Sequence, residues 1–174
     1  MIFYHYTSRA NVPSIMEQGL NRGEAPLSHY RVVNAVNLTT DPIPQGHGLD
    51  HGGKVVTERE AMIYASHGWN IPAGTVIADK LEVRLTVKVP TADRTLKRWL
   101  PWARRNCEPG YPEILAATAG GMTKAKTWWL YFGVIPSSAI IGAKDLKSWE
   151  VEATQSTVDA NLAQLHVMYR GRLN

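Results

Sequence analysis

Two groups of side chains in this 174-residue chain have the types and spacing to do chemistry. The first lies at the front. His5 sits inside the stretch Ile2-Phe3-Tyr4-His5-Tyr6-Thr7. A second stretch, Ala35-Val36-Asn37-Leu38-Thr39-Thr40, ends on two threonines before Asp41-Pro42. If both are strands and neighbours, His5, Thr7, Asn37, Thr39 and Thr40 gather donors and acceptors of the kind that hold sugar hydroxyls. Tyr4, Tyr6 or Tyr30 then supplies a ring to stack on a flat base. The competing structural reading makes His5 a hydrogen-bonded core histidine and the threonines a plain strand end.

The second group runs from Arg94 to Arg105. It holds five cations (Arg94, Lys97, Arg98, Arg104, Arg105), no acid, and two indoles, Trp99 and Trp102. Cations neutralise phosphates, and indoles stack on bases exposed from single strands or flipped from a duplex. The alternative is an amphipathic segment with both Trp side chains in the core and the charges in solvent. His47 and His51 stand four apart in a glycine-rich loop, but no third strong ligand accompanies them, so no metal site is predicted. The loop is read instead as covering a pocket, with His47 near the ligand. Cys107, the single cysteine, lies in a turn-like Arg-Asn-Cys-Glu-Pro-Gly and is not read as a nucleophile.

The elements that position these groups follow from local pattern. Ser8 is expected to cap a helix through Gln18, with Val12, Ile15 and Met16 inward and Gly19 as its stop. Residues 21 to 34 show no period and read as a loop. Thr57 and Glu60 form a capping box for a helix through His67. Leu81 to Val89 alternates as a half-buried strand. The basic segment reads as helical until Pro101 interrupts it, and Pro112 starts a short helix ended by Gly120-Gly121. Thr127 to Val134 is aromatic-rich and strand-forming. Ile135 to Ser138 turns it into a strand at Ala139-Ile140-Ile141. A strand is expected over Ser148 to Ala153 and a closing helix over Val158 to Tyr169.

Size and composition bound the class. With 44% apolar and 20% charged residues and a net charge of +4, the chain reads as one globular domain spanning residues 1–174. No membrane-length apolar run and no signal-like N-terminus is present, and the lone cysteine suits a reducing compartment, so a cytoplasmic location is expected. Strands and helices mix without regular alternation, which predicts an α+β fold.

The opening resembles the ADP-ribosyltransferase superfamily, in particular its His-Tyr-Glu branch and the DNA-targeting toxin-like members. Tyr4-His5-Tyr6-Thr7 is similar to the first motif, in which a strand histidine contacts the NAD ribose. The helix ending in Gly19-Leu20, the strand ending Leu38-Thr39-Thr40-Asp41-Pro42, and Val134-Ile135-Pro136-Ser137-Ser138-Ala139-Ile140 extend the likeness. The resemblance implies small split sheets with peripheral helices, NAD as donor, and His5 and Thr39 positioning the ribose. It also implies a catalytic glutamate on the strand before the Val-Pro-Pro-like stretch. Here that strand, Thr127 to Phe132, carries no acid. Glu113 and the Glu-x-Glu pair Glu150 and Glu152 are the remaining candidates. Three functions are therefore expected in order. The first is an ADP-ribosyltransferase-like enzyme that cleaves the N-glycosidic bond of NAD and modifies nucleic acid, DNA favoured over RNA. The second is a DNA glycosylase using the same pocket without NAD, and the third a non-catalytic nucleic-acid-binding module.

Overall fold

Alternation of side chains decides the sheet. Phe3, Leu85 and Val87 are fully buried, Val36 and Leu38 nearly so, and each stands one residue from a more exposed neighbour or a residue of the opposite face. The computed structural model describes residues 1–28, 31–49, 52–66 and 70–147. Met1–Lys144 form one compact unit, to which the description is confined, save that the last strand ends one residue later.

Its elements, in chain order, are β1 (Ile2–Thr7), α1 (Val12–Gln18), β2 (Glu24–Ser28), β3 (Arg31–Asn34), β4 (Val36–Thr39) and α2 (Glu58–Ser66). Then come β5 (Val83–Lys88), β6 (Leu96–Arg98), α3 (Trp99–Asn106), α4 (Tyr111–Thr118), α5 (Gly121–Ala125), β7 (Trp128–Tyr131) and β8 (Ile140–Asp145). Six strands form one sheet in the order β6-β7-β4-β1-β5-β8, while β2 and β3 form a separate hairpin. The β1–β4, β1–β5, β4–β7 and β6–β7 pairs are antiparallel. The class is α+β, as composition and element order led us to expect. One six-stranded sheet and a hairpin stand in place of two small sheets.

The sheet is packed on both faces. Phe3, Ile15, Leu20, Val36, Leu38, Leu85, Val87 and Ile135 make one core. Ala25, Ala35, Trp99, Ala103, Ala116, Ala125 and Leu130 make the other, under the hairpin and α3 to α5. Adjacent β7 residues divide between them, Trp129 to the first and Leu130 to the second.

Several local expectations hold. In the capping box at α2, Thr57 N–H and hydroxyl donate to Glu60 at 3.1 Å each, and Glu60 N–H donates to the Thr57 hydroxyl at 3.3 Å. Gly19 ends α1 with φ +79°, and a Cβ there would lie 2.4 Å from the Ile135 carbonyl oxygen. Leu20 and Ile135 exchange backbone hydrogen bonds at 2.9 Å, so the chain cannot move aside. Gly19→Ala should cost about 2 kcal/mol or more from backbone strain alone; a denaturant midpoint unchanged from wild type would refute it.

Other expectations are corrected. Residues 21 to 34 are not a loop: they hold the β2–β3 hairpin, whose pattern was hidden by Pro26 and by a register shift between Pro26 and Ser28. Ser8 does not cap by its side chain. A 3-10 turn at Arg9–Asn11 precedes α1, and the buried Ser8 hydroxyl has no partner among the described residues. Met16 is 46% exposed rather than inward. Pro101 does not interrupt the basic segment either. It is the third residue of α3, where a missing N–H costs no intrahelical bond. The expected end of α2 at His67, the strand over Ser148 to Ala153 and the helix over Val158 to Tyr169 lie outside the described residues.

Candidate functional site

The site begins where two strands part. β1 pairs with β5 over its whole length, from Ile2↔Lys88 to Thr7↔Val83, but meets β4 at one register position, Tyr4↔Thr39. One residue further along β1, the His5 side chain takes up a β4 main-chain group: Nδ1–H donates to the Asn37 carbonyl oxygen at 2.9 Å. A carbonyl can only accept, so Nδ1 carries the proton. Burial pushes the imidazole pKa below its ordinary value, with the Lys80 charge adding to the effect against the Asn37 bond. His5 is therefore neutral at pH 7, with Nε2 an acceptor that has no partner among the described residues.

His5 lines a cleft of about 850 Å³. Its polar part includes Thr7, Asn11, Glu24, Asn37 and Lys80, and its aromatic part Tyr6, Trp99, Tyr111 and Trp128. The volume lies within the range typical of small-molecule sites. Asn37 ties the polar part together. Its carbonyl holds His5, and its side-chain Nδ2 donates to the Glu24 carbonyl oxygen at 3.0 Å.

One wall is His47 to Leu49, the end of a segment from Asp41 that is fastened by a network. Lys124 Nζ pairs with the Asp41 carboxylate at 2.7 Å, the two side chains only 16% and 20% exposed, and also donates to the Ile43 carbonyl oxygen at 3.3 Å. His47 Nε2–H donates to the same carbonyl at 3.0 Å, while its Nδ1 accepts from Trp128 Nε1–H at 2.8 Å. Tyr6 stacks on His47 with centroids 5.6 Å apart and donates its hydroxyl to the Asp41 carbonyl oxygen at 3.2 Å. Burial lowers the His47 pKa, reinforced by the Lys124 charge. It also raises that of Tyr6 well above the ordinary phenol range.

The residues singled out from sequence fall into three sets. His5, Tyr4, Tyr6, Thr7, Asn37, Thr39 and His47 all line the cleft. Within it, the hydroxyl of Thr39 is already engaged. It accepts from Asp41 N–H at 3.1 Å and lies 2.9 Å from Thr127 Oγ1, which itself donates to the Lys124 carbonyl oxygen at 2.7 Å. Thr39 thus shapes the wall, and both nitrogens of His47 are committed in the same way. Thr40 donates its N–H to the Thr127 carbonyl oxygen at 3.0 Å, with its hydroxyl 3.5 Å from the same oxygen, and does not line the cleft. Tyr4 carries the Arg84 guanidinium over its ring at 4.8 Å.

A second set lies away from the cleft, apart from Trp99, which lines it. Glu113 is on α4, paired with Arg104 at 3.0 Å, and is not a cleft residue. Trp99 does not present its indole to solvent, and Trp102 is half-buried. Trp99 is 4% exposed and meets Trp128 edge-on at 4.9 Å, and Trp102 packs on Phe132 at 5.4 Å. Hydrophobic burial of the Trp99 ring outweighs any surface role for it. Lys97, Arg98 and Arg105 are exposed, with Arg98 over the Trp129 ring at 4.6 Å and Arg105 Nε–H donating to the Pro101 carbonyl oxygen at 3.2 Å. Burial raises the Cys107 thiol, which donates to the Pro26 carbonyl oxygen at 3.3 Å, unlike an activated nucleophile. The third set, Tyr30, His51, Glu150 and Glu152, lies outside the described residues.

Sequence reading missed Glu24, Lys80 and the pair Asp41–Lys124. Glu24 was hidden because its surroundings read as loop. Asp41 and Lys124 are 83 positions apart, with no local pattern to join them.

The chain matches no protein-family model, no curated protein and no solved structure. Fold and site together define an α+β protein with a polar and aromatic cleft opened between two strands of its central sheet. Among the described residues no helix is long and apolar enough to cross a membrane.

Proposed function

We propose that the cleft binds a nucleotide and that the protein is an ADP-ribosyltransferase-like enzyme, breaking the N-glycosidic bond of NAD and modifying nucleic acid. The observation that carries this reading is His5. One ring nitrogen is anchored on β4, and the other is left as an acceptor in a cleft with a polar and an aromatic part. A ribose hydroxyl is a fitting donor to that acceptor, and the aromatic part suits a flat base. The residues present therefore suit NAD, which would supply an activated sugar–base bond. The chain's own part is to orient the ribose through His5 and to exclude water with the fastened His47 to Leu49 wall.

Incubation with labelled NAD and mixed DNA and RNA tests this. Nicotinamide release with a mass gain on the nucleic acid is the expected result. Absence of both nicotinamide release and NAD binding would overturn it.

A specific observation favours a second reading, a DNA glycosylase that uses no NAD. β7, the strand on which the resemblance puts the catalytic glutamate, reads Trp-Trp-Leu-Tyr. A flipped nucleotide would then occupy the cleft, and water would take the sugar. Free base and abasic sites without NAD consumption would establish it.

Nucleic acid as partner rests mainly on the exposed cations, since Trp99 is buried and Trp102 is half-buried. Replacing Lys97, Arg98 and Arg105 with Ser should lower the slope of log affinity against log salt by about three. Trp102→Phe should leave that slope unchanged. An unaltered slope in the triple variant would remove nucleic acid from the proposal.

A further inference from the structure

The geometry points to Glu24 as the catalytic carboxylate of this site, an assignment that rests on the glycosidic-bond reading above. Heterolysis of an N-glycosidic bond sends the bonding electron pair out with the base nitrogen and leaves positive charge on the sugar's anomeric carbon and ring oxygen. A carboxylate at that carbon stabilises the charge. Among the described residues that line the cleft, Glu24 is the one acid. Glu113 is paired with Arg104 elsewhere, and β7 has no acid.

Position as well as type supports Glu24. It is the first residue of β2, and it is exposed, with no ion pair among the described residues. Its main chain is fixed from both sides. Asn37 Nδ2 donates to the Glu24 carbonyl oxygen at 3.0 Å, and the same Asn37 accepts from His5 through its own carbonyl oxygen at 2.9 Å. The residue before it, Gly23, donates its N–H to Asn34 Oδ1 at 3.1 Å and accepts from Ala35 N–H at 3.2 Å. It lies so close to β4 that a Cβ would sit 2.2 Å from the Ala35 carbonyl oxygen. One asparagine thus ties the main chain that carries Glu24 to the histidine that orients the ribose. When the acceptor's nucleophilic atom, or water, forms the new bond to that carbon, the proton it loses passes to the Glu24 carboxylate and from there to solvent.

The test uses the full chain with NAD, and with DNA alone as the second substrate. Binding is read by calorimetry and base release by single turnover. Glu24→Gln should bind NAD or DNA within about threefold of wild type while base release falls about 100-fold, the signature of a group that acts on the transition state. Glu24→Asp, which keeps the charge on a shorter stem, should recover about tenfold of that loss. Base release by Glu24→Gln at the wild-type rate overturns the assignment and leaves the glycosidic-bond reading standing. Loss of binding together with turnover in both variants overturns it too, because Glu24 would then be a ligand or structural group. A wild-type protein that releases no base from either substrate overturns the reading and the assignment together.

Discussion

His5→Ala should lower turnover by about 100-fold or more, because it removes the group that orients the sugar before the bond breaks. Two further substitutions separate orientation from mere support. In His5→Asn the amide Nδ2 can replace Nδ1 as donor to the Asn37 carbonyl oxygen, but nothing replaces the Nε2 acceptor. That variant should unfold at the wild-type midpoint and remain inactive. His5→Gln places an amide oxygen near the Nε2 position and loses the link to β4. It should recover part of the ligand affinity at some cost in stability. If His5→Asn were fully active, the bond to Asn37 would be the whole role of His5, and the cleft would have lost its central argument. Ligand affinity by calorimetry and unfolding by denaturant distinguish these outcomes.

Lys124→Met should be the most damaging change in the cleft wall. Removing one partner of a buried ion pair costs about 3–5 kcal/mol, and partial exposure of this pair to solvent reduces that to about 1–3 kcal/mol. The methionine roughly preserves volume, so the loss reports charge and hydrogen bonding rather than packing. Two contacts go at once: the Asp41 carboxylate loses its cation and the Ile43 carbonyl oxygen loses one of two donors, and with them the Asp41 to Leu49 segment loses these bonds to α5. Ligand affinity should fall with stability, since Tyr6, His47 and Trp128 line the cleft from this network. A wild-type unfolding midpoint for Lys124→Met would show that the Asp41–Lys124 pair carries no net stability.

The same network predicts how stability depends on pH. His5 and His47 have pKa values lowered by burial from 6.5. In both the folded state favours the neutral ring, so their contribution is present above pH 6.5 and is lost as pH falls through their folded values. For His47 the cause is visible, because a protonated Nδ1 can no longer accept from Trp128 Nε1–H. Asp41 acts at lower pH. Burial raises its carboxyl, but the hydrogen bonds from Lys124 and Ile43 N–H outweigh that and hold it below 3.8. Its contribution is present above 3.8 and is lost as pH falls through the folded pKa. Acid unfolding followed by tryptophan fluorescence should therefore show a first loss beginning below pH 6.5 and a second below 3.8. Lys124→Met should weaken the second and, by removing a cation that helps hold the His47 pKa down, reduce the His47 share of the first while leaving that of His5.

Sequence alone determined the features whose causes are local. The apolar strand at Ile2 to Thr7, the alternation at Leu81 to Val89, the capping box at Thr57 and Glu60, and the glycine stop at Gly19 depend on neighbours within a turn or a pleat. Each reappears in the fold. The histidine inside the first strand marked the site for the same reason, since a polar ring in an apolar strand must find a partner. Its partner, the Asn37 carbonyl oxygen, comes from the stretch already suspected of lying beside it. Only tertiary structure decided the rest. Whether Trp99 and Trp102 stack on bases or fill a core depends on α3 lying against β7, which a run of cations and indoles does not encode. The hairpin at β2 and β3 draws its order from packing Ala25 against Ala35 and the α3–α4 side, not from its own period. That hairpin brings Glu24 to the cleft. The β1–β4 opening, the Asp41–Lys124 pair, the Thr39–Thr127 contact and the Trp128–His47 bond likewise join residues 32 to 88 positions apart. Such contacts form only when closing those long loops is offset by a shared core, and no window of local sequence registers that.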